Sequence, residues 1–302
     1  MNKTIIAFYK FVDIKDPKKV KIDLTNLLKK TVAFGTIIIS KEGINGMCSS
    51  TQIEINLLKD FFRNSTLFKN IDIRESFHKE NPFKKLSIKI KKEIVPIGDS
   101  KVKPTLKVGK YVEPEHWDDF ISGKDVIVID TRNDFEVNLG SFRGSINPQT
   151  KCFREFPAWW KNNKDQFEGK KIAMFCTGGI RCEKSTSYLI NDGMKEVFHL
   201  KGGILNYFEK LKSPERSRWQ GECFVFDQRV TLTSELNAGK YELCFGCRNP
   251  INEADKSHEH YEQGVACPKC YNTKPEKRIM GLRERQKQTL LKLERKMKAM
   301  SL

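Results

Sequence analysis

Three short runs, DVIVID at 125–130, KKIAMFC at 170–176 and KEVFHL at 195–200, alternate with stretches of helical character. Each run is nearly continuous in β-branched or other apolar residues, the pattern of a strand buried on both faces. The stretches around them, PEHWDDFISG, FREFPAWWKNN and CEKSTSYLINDG, carry apolar residues at helical spacing, and Gly193 supplies a stop for the last. Strands alternating with helices predict a parallel sheet covered on both sides. Such sheets bind their ligands beyond the carboxyl ends of the strands.

Cys176 stands at one of those ends. Thr177, Gly178, Gly179, Ile180 and Arg181 follow, and a helix is expected to begin near Cys182. Glycines let backbone N–H groups converge on one point, and the helix N-terminus adds partial positive charge there. Arg181 is expected to add a full charge. A thiol so placed has a lowered pKa and is a nucleophile at neutral pH. Four residues separate Cys176 from Arg181, one fewer than in cysteine phosphatases, so the cradle suits a smaller species such as a persulfide sulfur. Cys182 either resolves an adduct on Cys176 or packs in the first helical turn.

The 302 residues divide by pattern into an α/β multidomain chain. Residues 1–95 read β-α-β-β-α-β, the order of a ferredoxin-like domain. Its first helix places Val20, Leu24, Leu27 and Leu28 on one face, and its second Ile53, Leu57, Leu58 and Phe61. A glycine-rich turn is expected from Lys41 to Gly46. The strand KKLSIKIKK presents Lys84, Lys89 and Lys91 to solvent, either as an RNA platform or as a protected edge. Residues 96–112, punctuated by Pro96, Gly98, Pro104 and Gly109, read as a linker. The α/β domain spans 113–215, a cysteine-bearing lobe 216–274 and a basic tail 275–302.

In that lobe Cys244 and Cys247, then Cys267 and Cys270, form two C-x-x-C knuckles with nineteen residues between them. Four thiolates at this spacing match a structural zinc site. His258 and His260, in the loop between, are expected to be exposed. Cys48, Cys152 and Cys223 read as small core residues.

The net charge is +17, and the tail from Lys274 concentrates it. Clustered Lys and Arg favour a polyanion such as nucleic acid, although a solubilising tail has the same composition. An isolated tail helix of this kind is expected to be mobile until it meets phosphates. The apolar runs are far too short for a membrane span. MNKTIIAFYKF has no cleavable apolar block, so a cytoplasmic location with reduced thiols is expected.

Residues 113–211 resemble a rhodanese domain in VIVIDTRNDFEV, GSFRGSINP, the loop from Cys176 to Arg181, and HLKGGI. With KEGINGMCS, KKEIVPIG, VGKYVEPEHW, FREFPAWW and GECFVFDQRV, the chain from 5 to 272 resembles the bacterial rhodanese-domain tRNA uridine hydroxylases. The resemblance implies a catalytic Cys176 with Arg181, and Asp130 and Arg132 as supporting residues. It also implies a tRNA substrate bound at the anticodon region and dioxygen-dependent conversion of wobble uridine to 5-hydroxyuridine. The residues themselves carry no flavin or nicotinamide signature, and the five histidines form no evident iron triad. Two other readings use the same features: a rhodanese-type sulfurtransferase carrying a persulfide on Cys176, and a non-catalytic zinc-containing RNA-binding adaptor.

Overall fold

The computed structural model describes residues 2–211 and 217–300. The expected end of the α/β domain at 212–215, and residues 301–302 of the tail, lie outside them. The chain divides into two compact units, Met1–Cys223 with Ser234–Leu236, and Phe224–Thr233 with Asn237–Leu302.

The first unit begins with β1 (Lys3–Phe11), α1 (Pro17–Leu28), β2 (Phe34–Ser40), β3 (Gly43–Ser50), α2 (Gln52–Arg63), β4 (Asp72–His78) and β5 (Leu86–Ile90). The sheet order is β4-β1-β3-β2-β5. Its first four strands pair antiparallel, and β5 adds to β2 in parallel. This is the ferredoxin-like arrangement with an extra edge strand. Asp16 starts α1 by accepting the N–H groups of Lys18 and Lys19, with Pro17 at the first helical position. Alternation along β1 sends Ile6 and Phe8 into a core shared with Leu24, Leu28, Leu58 and Phe62.

Two local expectations are corrected. The buried face of α2 is Ile55, Leu58 and Phe62, while Ile53 and Leu57 are exposed. Both sets have helical spacing, and only the sheet decides which one is covered. The turn after β2 is confined to Lys41 and Glu42, because Gly43 and Gly46 already pair in β3 with β1 and β2. Lys84, Lys89 and Lys91 are exposed at the β5 edge, as expected.

The central part contains β6 (Lys110–Val112), α3 (Pro114–Ile121), β7 (Val126–Asp130), α4 (Asp134–Val137), β8 (Gly140–Phe142), α5 (Phe156–Asn163), β9 (Lys171–Phe175), α6 (Ile180–Asn191), β10 (Val197–Leu200) and α7 (Gly203–Lys210). A parallel sheet runs β6-β10-β9-β7. In β9, Ile172 and Met174 enter one core with Trp160, Leu189 and Val197, while Ala173 and Phe175 enter another with Trp117, Ile204 and Tyr207. Both faces are thus buried, which is why the strand is apolar without a break from Ile172 to Phe175. The segment 96–112 is packed and does not behave as a bare linker. Ile97 and Val102 are buried in the first core, and Lys110–Val112 forms the edge strand. The punctuating prolines and glycines concealed these apolar residues.

In the second unit, Glu242–Leu243 pairs antiparallel with Pro250–Ile251. A helix from Glu276 to Met300 follows the second knuckle. Its first half is anchored: Leu282 is buried, Arg283 pairs with Glu262 at 2.7 Å, and Arg285 donates to the carbonyls of Phe245 and Gly264 at 3.0 Å. The expectation of a mobile tail gave no partners to Arg283 and Arg285, which with buried Leu282 hold the first half of the helix. Leu290, Leu293 and Met297 remain exposed. Among the described residues no helix is long and apolar enough to cross a membrane.

Candidate active site and metal centre

The carboxyl end of β9 delivers Cys176 to the N-terminus of α6. The connecting loop is shorter than expected, since Ile180 and Arg181 already belong to the helix. Gly179 caps the helix at φ +96°, and its N–H donates to Cys176 Sγ at 3.1 Å. The helix dipole therefore ends on the sulfur. The loop is fastened from below by α7: Ile204 N–H donates to the Cys176 carbonyl at 2.9 Å, and Leu205 N–H to that of Thr177 at 3.1 Å. Gly203 permits this approach. A Cβ there would lie 2.4 Å from the Cys176 carbonyl oxygen.

Cys176 is fully buried, while Gly178 and Ile180 are partly exposed at the mouth of the loop. Burial works against its thiolate. A hydrogen bond from Cys182, the charge of Arg181 and the N–H groups of Cys182 and Arg181 outweigh that and hold the thiol below its ordinary value. Cys182 is pushed up, by burial and then by its neighbour Cys176. Its sulfur lies 3.6 Å from Thr131 Oγ1. The Gly179 N–H on its sulfur and the direction of both shifts favour the thiolate on Cys176 over Cys182.

Arg181 does not bring an uncompensated charge. Its guanidinium forms two bonds to Glu136 of α4, at 2.7 and 2.8 Å, and both groups are buried. Burial raises the Glu136 pKa, but Arg181 outweighs it and holds the carboxyl below its usual range. Asp130 and Arg132 form a second buried ion pair, with nitrogen–oxygen distances of 2.6 and 2.9 Å, and Arg132 also donates to the Gly140 carbonyl at 2.6 Å. They tie the end of β7 to β8. The sulfur is thus held by the Cys182 thiol, by the charge of Arg181 and by backbone N–H groups together.

The N-terminal domain reaches this loop. Tyr9 of β1 donates to Glu183 Oε1 at 2.8 Å, and Phe11 packs against the central core. Lys184, buried in α6, pairs with Glu42 at 2.9 Å and Glu93 at 2.6 Å. Sequence reasoning missed Glu136, Tyr9, Glu183 and Gly203. Glu136 and Gly203 fell inside motifs already singled out, whereas no local signal connects Tyr9 to a residue 174 positions away.

The second candidate centre is the four-cysteine cluster. The sulfur atoms of Cys244, Cys247, Cys267 and Cys270 all lie within 4.8 Å of one another. The pairs Cys244–Cys270, Cys247–Cys267 and Cys267–Cys270 are each 3.8 Å apart. Zinc–sulfur bonds of about 2.3 Å in a tetrahedron place the sulfurs about 3.8 Å apart. The residues therefore fit zinc. Gly246 is needed for the first knuckle, since a Cβ would meet the Val265 carbonyl oxygen at 2.1 Å. His258 is exposed, and His260 stacks on Tyr271 with 4.0 Å between ring centres. Cys48 and Cys223 are buried as expected, but Cys152 is exposed. It caps a 3-10 turn, where its neighbours Lys151 and Arg154 face solvent too.

Residues 113–210 match the family model described as the rhodanese-like domain. The central domain is rhodanese-like. Residues 3–94 match the UPF0176 acylphosphatase-like domain, so the chain joins these two domains. Similar solved structures include a rhodanese-related protein from Thermoplasma volcanium, at 25% identity over 33% of this chain and 92% of that one, with a TM-score of 0.28. A rhodanese-like domain protein from Staphylococcus aureus shows 21% identity over 32% and 90%, with a TM-score of 0.28. A Rhodopseudomonas palustris protein described as a possible tyrosine phosphatase shows 22% identity over 35% and 83%, with a TM-score of 0.30.

Proposed function

We propose that the protein is a tRNA-modifying enzyme that hydroxylates wobble uridine at C5, with Cys176 as its nucleophile. The observation that carries this reading is the buried Cys176 sulfur, held by the Gly179 N–H at 3.1 Å in a rhodanese-like loop, with its thiol pKa held down by Cys182, Arg181 and the N–H groups. It is supported by the acylphosphatase-like domain docked beside that loop and by the basic composition of the chain. A thiolate adding to C6 of uridine makes C5 electron-rich and open to attack on an oxidant. Loss of the C5 proton then expels the thiolate and restores the ring. With dioxygen as oxidant, one oxygen atom enters the base. The other leaves as water, taking two electrons and two protons from an external reductant. Zinc at the four cysteines has a structural role, because four thiolates leave no open position.

A second reading is favoured by the short loop itself. A rhodanese-like loop closed by Gly179 suits the terminal sulfur of a persulfide on Cys176, as a sulfurtransferase requires. Mass spectrometry of tRNA nucleosides from cells with and without the protein separates the two. Loss of 5-hydroxyuridine supports the hydroxylase, and loss of a thiolated nucleoside with 5-hydroxyuridine unchanged supports the transferase.

A further inference from the structure

The HLKGGI run holds two adjacent glycines, and the fastening of the Cys176 loop accounts only for Gly203. Gly202 is buried at φ +70°, and a Cβ there would overlap the guanidinium of Arg74, which comes from β4 of the N-terminal domain. The bare backbone at 202 thus lets an arginine from that domain lie directly on it. The same backbone borders the active-site loop. The Gly202 Cα stands 3.4 Å from where a Cβ on Gly179 would be, and the Gly179 N–H holds the Cys176 sulfur.

Strand alternation brings Arg74 to this place. In β1, Ile6 and Phe8 enter the domain's own core, so Ala7, Tyr9 and Phe11 belong to the opposite face of the sheet. Arg74 stands opposite Ala7 in the register, and Asp72 opposite Tyr9, so both share that face. Phe11 packs against the central core, and the Tyr9 hydroxyl lies 2.9 Å from the Cβ position of Gly179. The helix-free face of the N-terminal sheet therefore meets the Cys176 loop, with Arg74 beside it.

The other buried cations around the loop are spent. Arg181 pairs with Glu136, Arg132 with Asp130, and Lys184 with Glu42 and Glu93, each at 2.9 Å or less. Among the described residues Arg74 has two ion pairs, 3.6 Å to Asp72 and 3.8 Å to Glu209, both beyond hydrogen-bond reach. Those carboxylates are 59% and 60% exposed, so water weakens their hold. The Arg74 side chain is itself 17% exposed, largely desolvated but still open to solvent. A guanidinium in this state can take two phosphate oxygens with its planar fork.

We propose that Arg74 binds a phosphodiester of the RNA substrate beside the target uridine and so holds the base at Cys176. The acylphosphatase-like domain is thereby part of the substrate site, and Gly202 is the residue that admits its arginine. Arg74 serves binding, while the chemistry stays with Cys176. The inference deepens the RNA reading given above and rests on it.

The test uses the full-length protein and an anticodon stem-loop RNA with uridine at the wobble position. A second RNA carries methylphosphonates at the two phosphates flanking that uridine, which removes their charge. Binding is read by fluorescence anisotropy. Arg74→Gln should weaken binding of the natural RNA about tenfold and lower the log–log salt slope by about 0.7. Arg74→Lys keeps the charge without the fork, so it should retain the slope and lose only part of the affinity. The methylphosphonate RNA should bind the wild type and Arg74→Gln alike. An equal loss on both RNAs marks a structural role and overturns the inference, and so does an unchanged affinity for the natural RNA. Failure of the natural RNA to bind the wild type, or to protect Cys176 from iodoacetamide, overturns the RNA reading and this inference together.

Discussion

Arg181 of α6 grips Glu136 of α4 through two bonds, at 2.7 and 2.8 Å, with both side chains buried. The pair joins the helix behind the reactive cysteine to the turn after β7, and it fixes the guanidinium whose charge acts on Cys176. Glu136→Ala should cost about 3–5 kcal/mol, because it strands a buried guanidinium. Urea unfolding measures the loss, and a change under 1 kcal/mol would show the pair to be dispensable.

Cys176→Ser should abolish 5-hydroxyuridine formation and leave the melting temperature close to that of the wild type, since a hydroxyl is a poor nucleophile at neutral pH. In the wild type the lowered thiol pKa has a definite sign. Thiolate persists between the lowered value and the ordinary one of about 8.5, and is lost as pH falls through the lowered value. Alkylation of Cys176 at pH 7 should therefore outpace that of a free cysteine. Equal rates would contradict the site described.

Gly203→Ala would press a methyl group against the Cys176 carbonyl and the Gly179 N–H, and it would force a φ of +70° on a residue with a side chain. Destabilisation of about 1–3 kcal/mol is expected, together with slower alkylation of Cys176. Unchanged alkylation would mean that the α7 anchor does not hold the loop.

Elemental analysis should find one zinc per chain. Cys267→Ser should lose most of it, because the three remaining sulfurs leave the shell open. Chelation should loosen the packing around Leu282 and expose the Phe245 and Gly264 carbonyls that Arg285 now holds. Hydrogen exchange across 240–285 reads this directly, and protection that survives chelation would count against a structural metal.

Removal of residues 289–302 spares the anchored half of the tail helix and deletes Lys292, Arg295, Lys296 and Lys298. If these contact tRNA phosphates, the salt dependence of binding should flatten by about 3 in log–log slope. An unchanged slope would assign recognition to other surfaces, such as the lysines at the β5 edge.

Much of this molecule is local, and so was written in the sequence. The apolar runs of β7 and β9 declare strands buried on both sides, because Val126 to Ile129 and Ile172 to Phe175 each meet a core. The Cys176 loop and the two knuckles are equally local: each packs its ligating or donating groups into a few consecutive residues, so spacing alone constrains them. The tertiary structure decided the rest. It chose Ile55 over Ile53 as the buried face of α2, since both satisfy the helical period and only the sheet lies on one side. It paired Arg181 with Glu136, 45 positions away, which fixes the guanidinium beside the loop. It also brought Tyr9 to Glu183 across 174 positions. Such long-range pairs leave no periodicity in the chain, because they depend on how elements distant in sequence pack together.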